Sequence, residues 1–253
     1  MRQILVKNSF GHKRGTRWRG HEVQRIEAFT DAVFAFAITL LAVSLEVPRS
    51  FNELLESMKG FVGFGFTFSF LFFIWYQHYD FFRRYGIDDR TIILLNGMFL
   101  LAVMFFIFPL KFMSYLIVTM VFNFTDENMH RIMSIRQVPQ LLSLYMFGLS
   151  LLMLSFTLMY RHALKYRLHL ELNDEETDIA LRRYCSYLFS VPLLMMGVIL
   201  YLLLPQNNTA LIPLIALPLV IMNRWLKRKK IKVNWLMPHA SEISNESNNE
   251  IVA

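Results

Sequence analysis

The chain has 253 residues, of which 55% are hydrophobic and 15% aromatic, while only 18% are charged. A soluble domain carries roughly a quarter charged residues, so this composition argues against an ordinary soluble protein. The formal net charge of +7 would suit nucleic acid, but in a membrane protein such a balance is more often the excess of Lys and Arg in cytoplasmic loops. We therefore expect no nucleic-acid partner.

Uninterrupted apolar runs of about 20 residues predict six transmembrane helices, because a helix of that length crosses roughly 30 Å of hydrocarbon. In chain order we place these helices at residues 27–47, 60–82, 91–109, 138–160, 184–204 and 209–225, and the third could extend to residue 122. A charged loop is predicted between helices 4 and 5, with Glu171, Asp174, Glu175, Glu176 and Asp178. The expected fold class is an all-α integral membrane protein.

The helices divide the chain into a basic N-terminal segment (1–24), a six-helix domain (25–225) and a basic, then polar tail (226–253) whose end is predicted to be disordered. Counted by alternate sides, twenty-one Lys and Arg residues lie on one side and five on the other. The positive-inside rule therefore predicts that both termini are cytoplasmic. We expect the chain to lie in the cell membrane, with the cluster from Arg224 to Lys232 contacting anionic lipid headgroups.

No enzyme motif is present: the sequence has no Walker loop, no HExxH and no GxSxG. The seven histidines are scattered, and the single cysteine excludes an internal disulfide. A carbonyl filter of the TVGYG type is absent as well. We predict that the chain is not an enzyme and holds no cofactor and no resident metal.

Helix 1 is the segment with the clearest functional signal. An ionisable residue in a membrane helix is costly and is a functional hypothesis by default, and Asp31 lies one turn after Glu27. On a helical wheel of 100° per residue, Ala32, Thr39, Leu40 and Val43 fall within about 60° of Phe36. Asp31 falls on the other side with Ala35, Ile38 and Ala42. If the Thr39 stripe faces a pore, Asp31 then faces the protein interior, which favours an anchoring role for its carboxylate over an ion or proton site.

The start of helix 1 spells R-x-x-x-F-S/T-D with Arg25, Phe29, Thr30 and Asp31. Together with Trp75 and His78 late in helix 2, Asn96 early in helix 3 and Pro109 near its end, this pattern resembles the endolysosomal transmembrane potassium channel and its prokaryotic homologues. The resemblance covers the chain up to about residue 225. Animal members have two six-helix repeats, whereas this chain has one, like the prokaryotic members.

The resemblance implies a potassium-permeable, weakly selective cation channel, assembled as a homotetramer with helix 1 lining a central pore. It implies a hydrophobic constriction at Phe36, with Leu40 and Val43 also facing the lumen, and a selectivity role for Thr39. Potassium ions would be only transiently bound. The motif residues would tie helix 1 to helices 2 and 3 in a packing network, whose members are Arg25, Phe29, Thr30, Asp31, Trp75, His78 and Asn96.

Two positions depart from the family pattern. Thr30 replaces the commoner serine and keeps the hydroxyl, and Phe36 stands where isoleucine or leucine is usual. Four phenylalanine rings around one axis could plug a narrow pore or gate it. They could also present their faces to a passing cation, and the sequence is compatible with each of these possibilities.

Two other function classes compete with the channel. The first is a proton-coupled or proton-permeable carrier that uses Glu27, Asp31, His78 and Asp80 as a relay. The second is a membrane scaffold without transport.

Overall fold

The computed structural model describes residues 18–20, 22–42, 48–122 and 132–203. All regular secondary structure in these ranges is helical. In chain order the elements are α1 (Arg25–Ala42), α2 (Phe51–Tyr85), α3 (Arg90–Phe122), a 3-10 turn (Ile135–Gln137), α4 (Val138–Lys165) and α5 (Asp174–Leu203). Four of them, α2 to α5, are long and apolar enough to cross a membrane. Predicted helix 6, the end of predicted helix 1 and the tail lie outside the described residues.

Helix α2 begins nine residues before the predicted start, at Phe51 rather than residue 60. Ser50 caps it by accepting a hydrogen bond from the Glu53 backbone N–H at 3.2 Å, and Glu53 Oε2 in turn accepts from the Arg49 N–H at 2.6 Å. These bonds differ from a capping box in that the Glu53 carboxylate accepts from the Arg49 N–H rather than from that of the N-cap residue Ser50, and they satisfy two N–H groups at the helix start. The prediction missed this start because it followed the apolar run alone.

Helix α5 begins ten residues before the predicted start, at Asp174 rather than residue 184. Here Asn173 Oδ1 accepts from the Glu176 N–H at 2.8 Å, and Glu176 Oε2 accepts from the Asn173 N–H at 3.2 Å. The predicted acidic loop is therefore wrong for every residue but Glu171, since the other four lie in the first turns of α5. Carboxylates are favoured there by the partial positive charge of a helix N-terminus.

Helix α3 follows the longer of the two predicted alternatives and continues past Pro109 to Phe122. The carbonyl oxygen of Pro109 accepts a 2.6 Å hydrogen bond from the Tyr145 hydroxyl of α4. Helix α4 runs five residues beyond its predicted end, to Lys165. The apolar pattern thus located the middle of each helix well and its ends less well.

Aromatic side chains fill the core between the helices. Phe81 of α2 meets Tyr160 of α4 edge-on, with ring centroids 5.1 Å apart, and Phe99 of α3 lies 5.1 Å from Phe156 of α4. Among the described helices, α4 packs most extensively on α5 and also on α3, while α1 packs on α2 and α3. The first helix therefore has a covered side and an open side.

One ion cluster joins α2 to α5. Asp80 Oδ2 lies 2.8 Å from Arg84 Nε of the same helix and 2.8 Å from an Arg183 guanidinium nitrogen of α5. The other terminal nitrogen of Arg183 donates to Gln77 Oε1 at 2.8 Å and to the Tyr160 hydroxyl at 3.3 Å. A single carboxylate thus pairs with two guanidinium groups at a place where α2, α4 and α5 meet.

Candidate functional site on the first helix

Helix α1 presents two faces of different character. Thr30, Phe34, Ala37 and Leu41 are buried against the rest of the chain and recur at three- and four-residue steps. The opposite face is exposed and consists mainly of small and aromatic side chains, namely Ala28, Phe29, Ala32, Ala35, Phe36 and Thr39. An apolar face left uncovered in one chain indicates a surface that meets something other than its own protomer.

Two of the four pore positions predicted from sequence lie on the exposed face. Phe36 is 55% exposed, and Thr39 is exposed one turn farther along. Leu40 lies at the edge of this face, half-buried and packed against the core. The fourth, Val43, lies outside the described residues. The Thr39 hydroxyl donates to the Ala35 carbonyl oxygen at 2.9 Å, and its oxygen retains lone pairs that can contact a cation.

A buried hydrogen-bonded chain connects α1 to α3 and α2. The Thr30 hydroxyl donates to the Ile26 carbonyl oxygen at 2.9 Å and accepts from Asn96 Nδ2 at 2.9 Å. Asn96 Oδ1 lies 2.7 Å from His78 Nε2. Because an amide oxygen only accepts, the hydrogen of this bond must be on His78 Nε2. Thr30, His78 and Asn96 are each no more than 2% exposed, so these bonds satisfy polar groups that water does not reach.

The His78 ring is enclosed by aromatic side chains. It stacks on Phe99 at a centroid distance of 5.0 Å and lies 4.6 Å from Phe82. Its position therefore depends on ring packing as well as on Asn96. Such an environment orders the imidazole and holds α2 and α3 in register beside α1.

Asp31 is joined to α2 by a separate contact. Trp75 Nε1 donates to Asp31 Oδ1 at 2.7 Å. Asp31 is nevertheless exposed in the single chain, contrary to the expectation that it faces the interior. The helical wheel gave the angular position of Asp31 on α1, but it did not show which part of the α1 surface α2 and α3 cover. That part is centred on Phe34 and Ala37, and Asp31 lies at its edge.

The other two motif residues lie apart from these contacts. Arg25 is exposed at the first position of α1, and Phe29 is 63% exposed. The structure thus brings together five of the seven predicted network residues in two groups and leaves Arg25 and Phe29 on the open side. A role for Arg25 and Phe29 in the packing network therefore stays a prediction.

The four ionisable groups of the hypothetical proton relay do not form a chain. Glu27 accepts from the Gln24 N–H at 3.1 Å, and the contacts of Asp31, His78 and Asp80 are those given above. Among the described residues, no hydrogen bond connects any two of these four side chains. The same part of the chain contains no group of three or more His, Cys, Asp or Glu residues that could hold a metal ion.

Two long-range pairs were missed by sequence reasoning. These are Asp80 with Arg183 and Arg19 with Glu176, whose charged atoms are 2.8 Å apart in both cases. The spacing of Asp80 and Arg84 at i and i+4 could have been noticed as a helical ion pair. Nothing in the spacing of residues so distant along the chain indicates that Arg183 or Glu176 would complete the contacts.

Comparison with known proteins identifies the family. A sequence profile described as the endosomal/lysosomal potassium channel TMEM175 matches residues 25–109, which span α1, α2 and most of α3. A potassium channel of Marivirga tractuosa is 35% identical over 198 residues, which cover 76% of this chain and 79% of the relative. A potassium channel of Chamaesiphon minutus is 33% identical over 96 residues, or 35% of this chain and 47% of the relative.

The fold matches a solved channel of the same family. The crystal structure of a threonine-to-alanine variant of the potassium channel MtTMEM175, in complex with a nanobody–MBP fusion protein, superposes with a TM-score of 0.76. The two share 31% sequence identity, and the match covers 86% of this chain and 97% of the other. The family resemblance inferred from the sequence is therefore confirmed: the chain belongs to the TMEM175 family of potassium channels.

Proposed function

We propose that this chain forms a weakly selective potassium channel whose pore is lined by α1. Membership of an ion-channel family confirms the prediction of an integral membrane protein that conducts potassium and is not an enzyme. The proposal also includes the following details of topology, location and assembly. They are six membrane crossings with both termini in the cytoplasm, a location in the cell membrane, anionic lipids at Arg224 to Lys232, and assembly as a homotetramer.

The two-faced character of α1 is the observation that carries the pore assignment. A helix around a central axis needs one side packed on its own protomer and the other free to face the axis. Helix α1 meets both conditions, because Phe34 and Ala37 are buried on one side while Phe36 and Thr39 are exposed on the other. The small exposed residues Ala32 and Ala35 would allow neighbouring copies of α1 to approach closely.

Phe36 and Thr39 have different roles in this proposal. A ring of four Phe36 side chains forms an apolar constriction, which stops ions when it holds too little water to hydrate them. A ring of four Thr39 hydroxyls replaces part of the hydration shell of a cation, which costs less for potassium than for the more strongly hydrated sodium. Val43 forms an outer apolar position, and Leu40 contacts the lumen from the edge of the face.

The contacts of Thr30, Asp31, Trp75, His78 and Asn96 support an anchoring role for the motif. They bind the first two turns of α1 to α2 and α3, so that the pore-facing side keeps its direction. The four groups of the hypothetical proton relay each have a different hydrogen-bond partner, which argues against the carrier alternative.

Purified protein in liposomes tests the proposal. A potassium gradient should drive flux in the presence of a protonophore, and a sodium gradient should drive a smaller flux. Potassium flux that stops when the protonophore collapses the pH gradient would indicate a proton-coupled carrier instead. Absence of flux under every gradient would leave only the scaffold.

A further inference from the structure

The segment before α1 is fastened to the C-terminal end of α2. The backbone N–H groups of Arg19 and Gly20 both donate to the Arg83 carbonyl oxygen, at 3.0 and 3.3 Å, and the Arg83 guanidinium donates back to the Gly20 carbonyl. Closer to α1, Gln24 Nε2 donates to the Gly86 carbonyl oxygen at 3.2 Å. The chain is therefore tied to α2 at two points immediately before α1 begins.

Two glycines make this close approach possible. A Cβ atom on Gly20 would lie 2.8 Å from the Phe82 carbonyl oxygen, closer than real Cβ atoms come. Gly86 has a φ of +58°, a backbone conformation that residues other than glycine rarely adopt. A Cβ atom there would lie 3.1 Å from the Arg19 carbonyl carbon. The backbone at Arg19 thus occupies a narrow, defined position.

From this position the Arg19 guanidinium contacts three separate parts of the fold. It reaches the end of α2 at the Arg84 carbonyl oxygen, 3.4 Å away. It donates to the carbonyl oxygens of Leu170 at 2.8 Å and Glu171 at 3.0 Å, in the turn between α4 and α5. It also contacts Glu176 Oε2, in the first turn of α5, at 2.8 Å. The planar guanidinium has five N–H donors, which suits it to such a junction.

The acceptors on the α4–α5 side have unusual features. Glu171 has a φ of +48°, a left-handed backbone conformation that is uncommon for a non-glycine residue and costs on the order of 1 kcal/mol. The Glu176 side chain is only 5% exposed. A buried carboxylate needs charged or hydrogen-bonding partners, and Arg19 supplies one of them.

We propose that Arg19 is a positioning residue of the channel, which couples the turn between α4 and α5 to the start of the pore helix. This inference rests on the proposed function, because it requires α1 to line the pore. Helix α1 packs on α2 and α3, whereas α5 packs mainly on α4. Arg19 therefore provides a direct link through which movement of the α4–α5 pair reaches the start of α1 and changes the opening of the pore.

Single-channel recording in planar bilayers under a potassium gradient tests this role, with Arg19→Ala, Arg19→Lys and the control Arg90→Ala. Arg90 is exposed at the first position of α3, so its replacement removes the same charge without touching the junction. We expect Arg19→Ala to change the open probability by at least about fivefold, a size typical of coupling between sites, while the current through an open channel stays the same. The open probability of Arg19→Lys should lie between those of the wild type and Arg19→Ala, because an ammonium group can pair with Glu176 but cannot reach the three carbonyls together. Arg90→Ala should match the wild type.

Glu176→Gln completes the test. Glu176→Gln should shift the open probability in the same direction as Arg19→Ala, and it carries the test with Arg19→Lys if the alanine variant does not fold. An open probability that is equal in Arg19→Ala and Arg90→Ala would overturn the positioning role alone, as would a changed unitary current. A wild type that passes no potassium at all would contradict the proposed function, and the positioning role with it.

Discussion

Trp75 of α2 donates a 2.7 Å hydrogen bond to the Asp31 carboxylate of α1, although Asp31 is exposed in the single chain. The bond fixes α1 at the edge of its covered face, about 100° around the helix from Thr30, which Asn96 holds near the centre of that face. Helix α1 is thereby hydrogen-bonded to both α2 and α3. This arrangement accounts for a carboxylate in the second turn of α1 without giving it a part in ion transport.

Replacing Asp31 by Asn should therefore weaken the anchor but not abolish conduction. The amide oxygen still accepts from Trp75 Nε1, and loss of the charge should cost about 1 kcal/mol of stability. Thermal unfolding in detergent should show a lower midpoint, and liposome flux should show potassium conduction retained. Trp75→Phe is the matched variant, since it keeps a ring and removes the donor. Loss of a pH-driven flux in Asp31→Asn would favour the carrier hypothesis.

Phe36→Ala should raise the potassium leak through the channel. In the proposed pore, removal of the Phe36 rings widens the constriction and lets water enter, and a fall of about 1.4 kcal/mol in the barrier would raise the flux tenfold. The control is Phe108→Ala on α3, because Phe108 is 75% exposed but does not lie on α1. Flux through liposomes without an imposed voltage measures the leak. Equal flux in the two variants would remove Phe36 from the constriction.

Thr39→Ala should lower the preference for potassium over sodium. Each lost hydroxyl removes a weak cation contact, and a difference of under about 1 kcal/mol corresponds to a few-fold change in the permeability ratio. Reversal potentials under bi-ionic conditions measure this ratio. Thr39→Ser should retain it, and so should Ser69→Ala, because Ser69 is an exposed residue of α2 whose hydroxyl also bonds to the carbonyl four residues before it. Unchanged reversal potentials in Thr39→Ala would contradict the selectivity assignment.

Asp80→Asn should destabilise the fold more than Arg183→Ala does. Loss of the carboxylate leaves the guanidinium groups of Arg84 and Arg183 facing each other without neutralisation, at a cost on the order of 3 kcal/mol. Loss of Arg183 leaves Asp80 still paired with Arg84. Thermal unfolding midpoints compare the variants, and Arg182→Ala serves as control because Arg182 pairs with Asp178 within α5. A smaller effect for Asp80→Asn than for Arg183→Ala would argue that Arg84 does not depend on Asp80.

Some of the fold followed directly from residue patterns. The apolar runs identified the membrane class and the centres of the described helices. The helical wheel placed Phe36 and Thr39 on one stripe of α1, and both are exposed, but it put Ala35 on the opposite side, whereas Ala35 is exposed beside them. The true starts of α2 and α5 were also present in the sequence, as the capping pairs Ser50 with Glu53 and Asn173 with Glu176. Hydrophobicity alone does not detect them, because capping depends on local hydrogen bonds.

By itself, then, the sequence determined that the chain spans a membrane as helices and that α1 has two faces, since both properties arise from periodicity within one helix. Only the tertiary structure decided which arc of α1 is covered, and hence that Asp31 lies exposed beside Trp75. It alone paired Arg19 with Glu176 and Asp80 with Arg183. Contacts between distant parts of a chain depend on how helices pack and in which register, and no local pattern of residues specifies that.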